Sequence, residues 1–293
     1  MINALSVDVE EYFHPSELPV SREPEVWESL PPRVPQQVER ILELFDRRQT
    51  KATFFILGWV AEHHPATVRQ IAESGHEIGC HSYAHQLVYH LSREEFRRDT
   101  QRALAAIEDA CGVRPKIYRA PSYSITQQSW WALEILAECG FTHDSSIYPI
   151  SHDRCGIPGF GRYPQTIETA AGPLLEIPIA TARVSERRIT PVGGGGYLRL
   201  LPYRYVAAGI RRINDDERQP ACIYFHPWEL DPDQPCLARG LISRVRTYAG
   251  MSRMERKIDR LLQEFRFSGL MSVYASAQSI CEDRALSAAQ SAT

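Results

Sequence analysis

The sequence has no apolar run long enough to cross a bilayer: the most apolar stretch, Ala52 to Val60, is about half of the roughly 18 residues a span requires. Met1 to His14 carries Asp8, Glu10 and Glu11 where a secretory leader needs a basic start and an uncharged apolar stretch, so the expected location is the cytoplasm. Charge of one sign is scarce as well. The 33 Lys and Arg against 36 Asp and Glu give a formal charge of −3 with no long run of either sign. This excludes a nucleic-acid partner and speaks against an anionic membrane surface. The seven cysteines (Cys80, Cys111, Cys139, Cys155, Cys222, Cys236, Cys281) form no CxxC pair. An odd number scattered over a chain this long is no disulfide framework, and most are expected reduced and buried. The four-glycine run Gly193 to Gly196 lacks the lysine and following Ser or Thr of a phosphate-binding loop, which leaves a flexible rim or a substrate loop. Neither an internal repeat nor a convincing linker divides the chain.

What is present is an ordinary globular composition of 43% hydrophobic and 24% charged residues over 293 positions, enough for a packed core in one large domain. Apolar and amphipathic segments alternate. The strand candidates are Ala4 to Val9, Ala52 to Leu57, Glu77 to Gly79, Ile117 to Arg119, Thr142 to Asp144, Leu174 to Pro178, Cys222 to His226 and Met271 to Tyr274. Helical patterns lie between several of them: Pro35 to Arg48, with Val38, Ile41, Leu42 and Phe45 on one face, then Pro65 to Ser74, Ser92 to Ala110 and Gln127 to Cys139. This order predicts a parallel sheet covered by helices. Residues 149 to 171, rich in Gly and Pro, read as a loop. Residues 235 to 267 read as a loop followed by a basic amphipathic helix, and 281 to 293 as a frayed tail.

Chemistry-bearing residues gather where these strands end. Alternation along Ser6-Val7-Asp8-Val9-Glu10 places Asp8 and Glu10 on one face, and two neighbouring carboxylates call for a neutralising partner, a cation or an arginine. His81 and His85, four apart after the strand at Glu77, are spaced to project from one helical turn and chelate a divalent ion. Arg119, before the turn Ala120-Pro121-Ser122-Tyr123, can hold a carboxylate, while the amides after the proline can face an oxyanion. Asp144 in His143-Asp144-Ser145-Ser146 and His226 in His226-Pro227-Trp228-Glu229 complete the set. Tyr12, Tyr123, Tyr148, Tyr224 and Trp228 are candidates for stacking on sugar faces. Strand ends of a parallel barrel are where such folds keep their sites.

The order of these elements (acidic strand end, His-Ser-x-x-His, Arg-x-Pro, Asp-Ser-Ser and a late strand-end His) resembles the NodB-type polysaccharide deacetylases, carbohydrate esterase family 4, over roughly residues 4 to 275. Residues Val7 to Phe13, His226 to Glu229 and Met254 to Phe267 further resemble the deacetylases encoded beside exopolysaccharide and PEP-CTERM/exosortase genes, which carry an extra C-terminal segment, here about 235 to 275. One departure stands out: Val9 separates the two acids that are adjacent in the commonest family pattern. A similar spaced pair occurs in the branch with intracellular peptidoglycan deacetylase-like proteins and metal-independent allantoinases. The resemblance implies a single catalytic domain over 1 to 293, folded as an α/β distorted barrel of seven strands. It implies a metal-dependent hydrolase that removes N-acetyl groups from amino sugars of a polysaccharide, or of a lipid- or nucleotide-linked precursor, releasing acetate. Asp8 would be the general base, with Glu10, His81 and His85 holding the ion and Glu11 the rival to Glu10. Zn2+ is the default ion, with Co2+ or Ni2+ as alternatives. Arg119 would orient Asp8, and an amide near Ser122 or Tyr123 would hold the oxyanion. His226 would protonate the departing amine, with Asp144 fixing its ring. The competing readings are allantoinase-like hydrolysis of another linear or cyclic amide and a non-catalytic carbohydrate-binding protein.

Overall fold

A computed structural model describes residues 1–152, 155–185 and 188–275. Among these the strands are β1 (Ile2–Val9), β2 (Thr53–Ile56), β3 (Glu77–Cys80), β4 (Ile117–Tyr118), β5 (His143–Asp144), β6 (Gln165–Thr169), β7 (Gly172–Glu176), β8 (Thr181–Ser185), β9 (Arg188–Pro191), β10 (Cys222–Phe225) and β11 (Arg266–Ser268). The helices are α1 (Pro24–Trp27), α2 (Val34–Arg47), α3 (Gly58–His63), α4 (Pro65–Glu73), α5 (Arg93–Cys111), α6 (Ala132–Glu138), α7 (Gly195–Leu200), α8 (Tyr203–Arg211), α9 (Leu241–Tyr248) and α10 (Met254–Glu264).

Seven parallel strands follow one another in the order β10, β1, β2, β3, β4, β5, β7, so the protein is α/β with a parallel sheet. The two end strands share no ladder. Ala180, four residues beyond β7, donates its backbone N–H to the Cys222 carbonyl of β10 at 3.0 Å, a normal hydrogen-bond length. β2, Thr-Phe-Phe-Ile, is buried along its whole length, as strands covered on both faces are. Val38, Ile41, Leu42 and Phe45 of α2 are buried as their spacing predicts. Helix α5 begins at the expected Ser92, whose hydroxyl accepts from Glu95 N in a capping box, and ends at Gly112 with φ +72°. No helix among the described residues is long and apolar enough to cross a membrane.

Several expectations change. Met271 to Tyr274, read as a strand, lies in a helical stretch over residues 270 to 275, with the amides of Met271 and Ser272 capped by the Glu77 carboxylate at 3.0 and 2.8 Å. The strand in this region is β11, which pairs in parallel with β1. The stretch 149 to 171 is not all loop: β6 lies in it and folds back on β7. A second hairpin, β8 with β9, was not anticipated. Of the described cysteines only Cys80 and Cys222 are fully buried, and all six are free thiols. The expected tail, 281 to 293 with Cys281, lies outside the described residues.

Candidate active site

Strand β1 delivers the two acids. Val7 and Val9 point into the core, while Asp8 and Glu10, each 2% exposed, face a cavity of about 320 Å3 at the C-terminal ends of the strands. The adjacent Glu11 points elsewhere. It accepts from the backbone N–H groups of Arg33 and Val34 at 2.9 and 3.0 Å and so caps the start of α2. Burial pushes its carboxyl up to about 7 despite those bonds. The Glu10 placement agrees with strand alternation.

His81 and His85 follow β3, but not on a helix as their spacing suggested. Ser82 and His85 take left-handed φ values of 64° and 53°, and the resulting turn, rather than helical pitch, brings both rings to Glu10. Asp99 of α5 holds this turn by accepting from the amides of Tyr83 and Ala84 at 2.8 and 3.2 Å. Glu10 Oε1 lies 3.1 Å from His81 Nε2 and 2.9 Å from His85 Nε2. The other nitrogen of His81, Nδ1, sits 2.8 Å from the Arg119 carbonyl, which can only accept. Nδ1 therefore carries the proton, and in the neutral ring Nε2 presents a lone pair to a carboxylate oxygen. Two acceptors at 3.1 Å repel unless a cation lies between them, so this donor set fits a divalent ion. The three side chains are buried, with ligand atoms all within 4.8 Å of one another. Burial alone would raise the Glu10 carboxyl, yet His85, His226 and the His81 contact hold it well below its ordinary range.

Arg119, at the end of β4, is fully buried and donates from Nη1 to Asp8 Oδ1 at 2.6 Å and to Ser6 Oγ at 2.7 Å. Its Nη2 donates to Ser145 Oγ at 3.0 Å, and its charge lies 4.0 Å from the centre of the Phe55 ring. One Asp8 oxygen is thereby occupied. The other, Oδ2, faces His226 Nε2 at 4.0 Å.

His226 follows β10. Its Nδ1 meets Glu229 Oε2 at 3.0 Å, and its backbone N–H donates to the same oxygen at 3.0 Å. The opposite oxygen of Glu229 accepts from Arg199 Nη1 at 2.6 Å. The expected partner, Asp144, is engaged elsewhere: it accepts from Ser146 Oγ at 2.6 Å and lies opposite Glu176 in the ladder between β5 and β7. The pattern His-x-x-Glu after a strand, with Pro227 at the first helical position, is a capping arrangement that could have pointed to Glu229. Nothing in the sequence marked Arg199. Burial lowers the His226 pKa, but Glu10, Glu229 and Asp8 outweigh it and raise it to about 9.

The Tyr123 amide is used, donating to the Ala120 carbonyl at 3.0 Å, and both Ser122 and Tyr123 adopt left-handed φ values at the cavity wall. Tyr123, Tyr148, Tyr224 and Trp228 line the cavity, whereas Tyr12 is buried in the core. The glycine run is a packed wall rather than a flexible rim. Gly194 has φ +117°, and a Cβ there would lie 1.8 Å from the Tyr224 ring.

Residues 27–143 match the family described as Polysaccharide deacetylase, and residues 145–275 match a family described as Domain of unknown function (DUF3473). Residues 27–143 are thus similar to polysaccharide deacetylase domains. It is 35% identical over 96 residues to a peptidoglycan-N-acetylglucosamine deacetylase of Bacillus cereus, which is 32% of this chain and 35% of that protein. It is 31% identical over 94 residues to the peptidoglycan-N-acetylmuramic acid deacetylase PdaC of Bacillus subtilis, 32% of this chain and 20% of the relative. These matches span about a third or less of the relatives' length. A crystal structure from Mycobacterium smegmatis, provisionally named a polysaccharide deacetylase, superposes with a TM-score of 0.64 at 18% identity. It covers 95% of this chain and 91% of its own, and shares the fold.

Proposed function

We propose that the protein is a metal-dependent N-deacetylase acting on an N-acetylated amino sugar of a polysaccharide or of its lipid- or nucleotide-linked precursor. One observation carries the reading: Glu10 Oε1 faces the Nε2 atoms of both His81 and His85, with the His81 proton fixed on the far nitrogen by Arg119 O. Glu10, His81 and His85 would hold the ion, with Zn2+ the default and Co2+ or Ni2+ able to serve. When bound, such an ion lowers the pKa of water from about 15.7 toward 7 and polarises an acyl oxygen.

The residues of the chain account for the proton movements. Asp8 takes a proton from the attacking water on Oδ2, because Oδ1 is held by Arg119. Water adds to the amide carbonyl, and the Ser122 backbone N–H supports the oxygen on which charge develops. His226 then gives the proton on Nε2 to the amine nitrogen as the carbon–nitrogen bond breaks, leaving acetate and a free amine. Glu229, anchored by Arg199, keeps the imidazolium oriented and compensated. Acid and base are different residues 4.0 Å apart, each worth roughly a hundred- to ten-thousand-fold in rate. The site draws His81, His85 and Arg119 from the first matched segment and His226 from the second, and Asp8 and Glu10 from β1 ahead of both, which pairs with β2 and β10; this supports reading residues 4 to 275 as one catalytic unit. The separate family match over 145–275 supports a subgroup with its own C-terminal segment, as in the exopolysaccharide-locus deacetylases.

The test is acetate release from N-acetylglucosamine oligomers, run beside allantoin as the rival substrate, before and after exhaustive chelation. Acetate release that stops on chelation and returns with Zn2+ is the expected result. Turnover of allantoin alone, or full activity after chelation, would overturn the proposal.

A further inference from the structure

Formal charge averaged over the chain hides a local segregation. Residues 239 to 260 hold seven basic side chains and two acidic ones, in a chain whose total is −3. The two acids are turned to one side of α10, where Glu255 meets Arg40 and Asp259 meets Arg48. Arg253, Arg256 and Arg260 lie on another side, exposed, and among the described residues no salt bridge engages them. With Leu200 and Tyr203 they line a groove of about 640 Å3. This groove shares Arg199 and Leu200 with the catalytic cavity, so the two are adjacent.

The same stretch bears an apolar face that nothing among the described residues covers. In α9, Leu241 is 77% exposed, Ile242 73% and Val245 48%, positions that share one helical face. One turn on from Ile242, Arg246 lines the mouth of the cavity, and Leu200 at the boundary of the two cavities is 49% exposed. Large aliphatic side chains ringed by arginine are what an interfacial helix presents to headgroups and acyl chains. A second copy of the chain fits poorly: a two-fold contact centred on α9 would bring Arg239, Arg244 and Arg246 against their own equivalents.

We propose that α9 and the arginine-lined groove beside it dock on an anionic lipid membrane, holding the mouth of the catalytic cavity against the headgroup layer. The Leu241, Ile242 and Val245 side chains enter the interface, and Arg253, Arg256 and Arg260 meet lipid phosphates.

The experiment is co-sedimentation of the full chain with vesicles of phosphatidylcholine alone and of phosphatidylcholine mixed with phosphatidylglycerol, at low and high salt. Binding to the mixed vesicles only, weakened by salt, is expected, since each basic residue near such a surface contributes roughly fivefold in partitioning. The double variant Leu241→Glu/Ile242→Glu, both sites being exposed and outside the cavity lining, should lose at least about tenfold in partitioning while releasing acetate from soluble oligomers at the wild-type rate. No binding to mixed vesicles, undiminished binding by the double variant, or a wild-type dimer that the two substitutions turn into a monomer would overturn the proposal. Vesicle binding is read without substrate, so failure of the deacetylase reading would leave its result standing.

Discussion

Asp144 and Glu176 sit directly opposite each other in the parallel ladder between β5 and β7, both fully buried, and neither Asp144 Oδ2 nor Glu176 Oε2 meets a hydrogen-bond donor. Two ionised carboxylates cannot share such a place, so one proton is held between them. Burial is the largest cause raising both groups, and the Asp144 charge raises Glu176 further, well above its ordinary range. The Glu176 contact to Ile147 N at 2.9 Å and the Asp144 contact to Ser146 Oγ fix the loop that leads out of β5.

This pair predicts a definite dependence of stability on pH. A carboxyl with a raised folded-state pKa binds its proton more tightly when folded, so its stabilisation is complete below the unfolded value of about 4 and is lost as pH rises toward the folded value. The thermal midpoint of the wild type should therefore fall between pH 5 and pH 8 through this pair. In Glu176→Gln the amide N–H replaces the shared proton, and the fall should be smaller. Melting curves at the two pH values check this, and an equal fall in both proteins would refute the shared proton.

The contrast between Asp144 and Glu229 shows how much of the site could be read from the chain alone. Strand alternation put Asp8 and Glu10 on one face, and both line the cavity. The strand ends carrying Arg119 and His226 were equally legible, because a parallel α/β order leaves side chains after each strand at one end of the sheet. The partner of His226 was not. Asp144 shares the sheet with β10, but it lies beside β7, and hydrogen-bond partners depend on packing distances that spacing does not encode. Glu229 is only three residues from His226 and carried a local signal, whereas Arg199 reaches it from α7 through a tertiary contact. The structure brings the two histidines named from the sequence to Glu10 by a different geometry, since left-handed Ser82 and His85 replace the expected helical turn.

Substituting Glu229 by Gln should lower kcat by about a hundredfold or more, the range for loss of an effective acid–base group, with far less effect on the fold. The charge of Glu229 is among the causes that raise the His226 pKa, so its loss should move the alkaline limb of the pH–rate profile to lower pH. Arg199→Met leaves the Glu229 carboxylate in place but removes the cation that compensates it, so the limb should move the other way, to higher pH, by a smaller amount. Initial rates from pH 6 to 10 test both variants, and an unmoved limb in Glu229→Gln would show that this carboxylate does not govern the acid.

Loss of either imidazole should strip the ion. His85→Ala leaves Glu10 and His81 as two ligands, and removal of a ligand from a three-residue set is expected to abolish stoichiometric binding and most turnover. The measurement is metal content of purified protein by mass spectrometry, set beside the thermal shift on adding Zn2+. Retention of one equivalent of metal with an unchanged thermal shift would place the ion elsewhere.

Gly194 is the wall position least able to accept a side chain. Its φ of +117° is one that L side chains rarely adopt, and a Cβ would overlap the Tyr224 ring, with the nearest carbons at 1.8 and 2.1 Å. Tyr224 in turn lies beneath the Arg119 guanidinium, 5.3 Å from ring centre to charge, and stands edge-on to His226. Gly194→Ala must displace that ring, and backbone strain and overpacking each cost about 1–3 kcal/mol. The thermal midpoint and kcat should both fall. The steric part is separable: Tyr224→Ala removes the ring, so in the double variant the further cost of Gly194→Ala should shrink to the backbone strain alone, a positive coupling measured by a double-mutant cycle. Additive effects of the two substitutions would mean that the glycine is required for its φ and not for the approach of Tyr224.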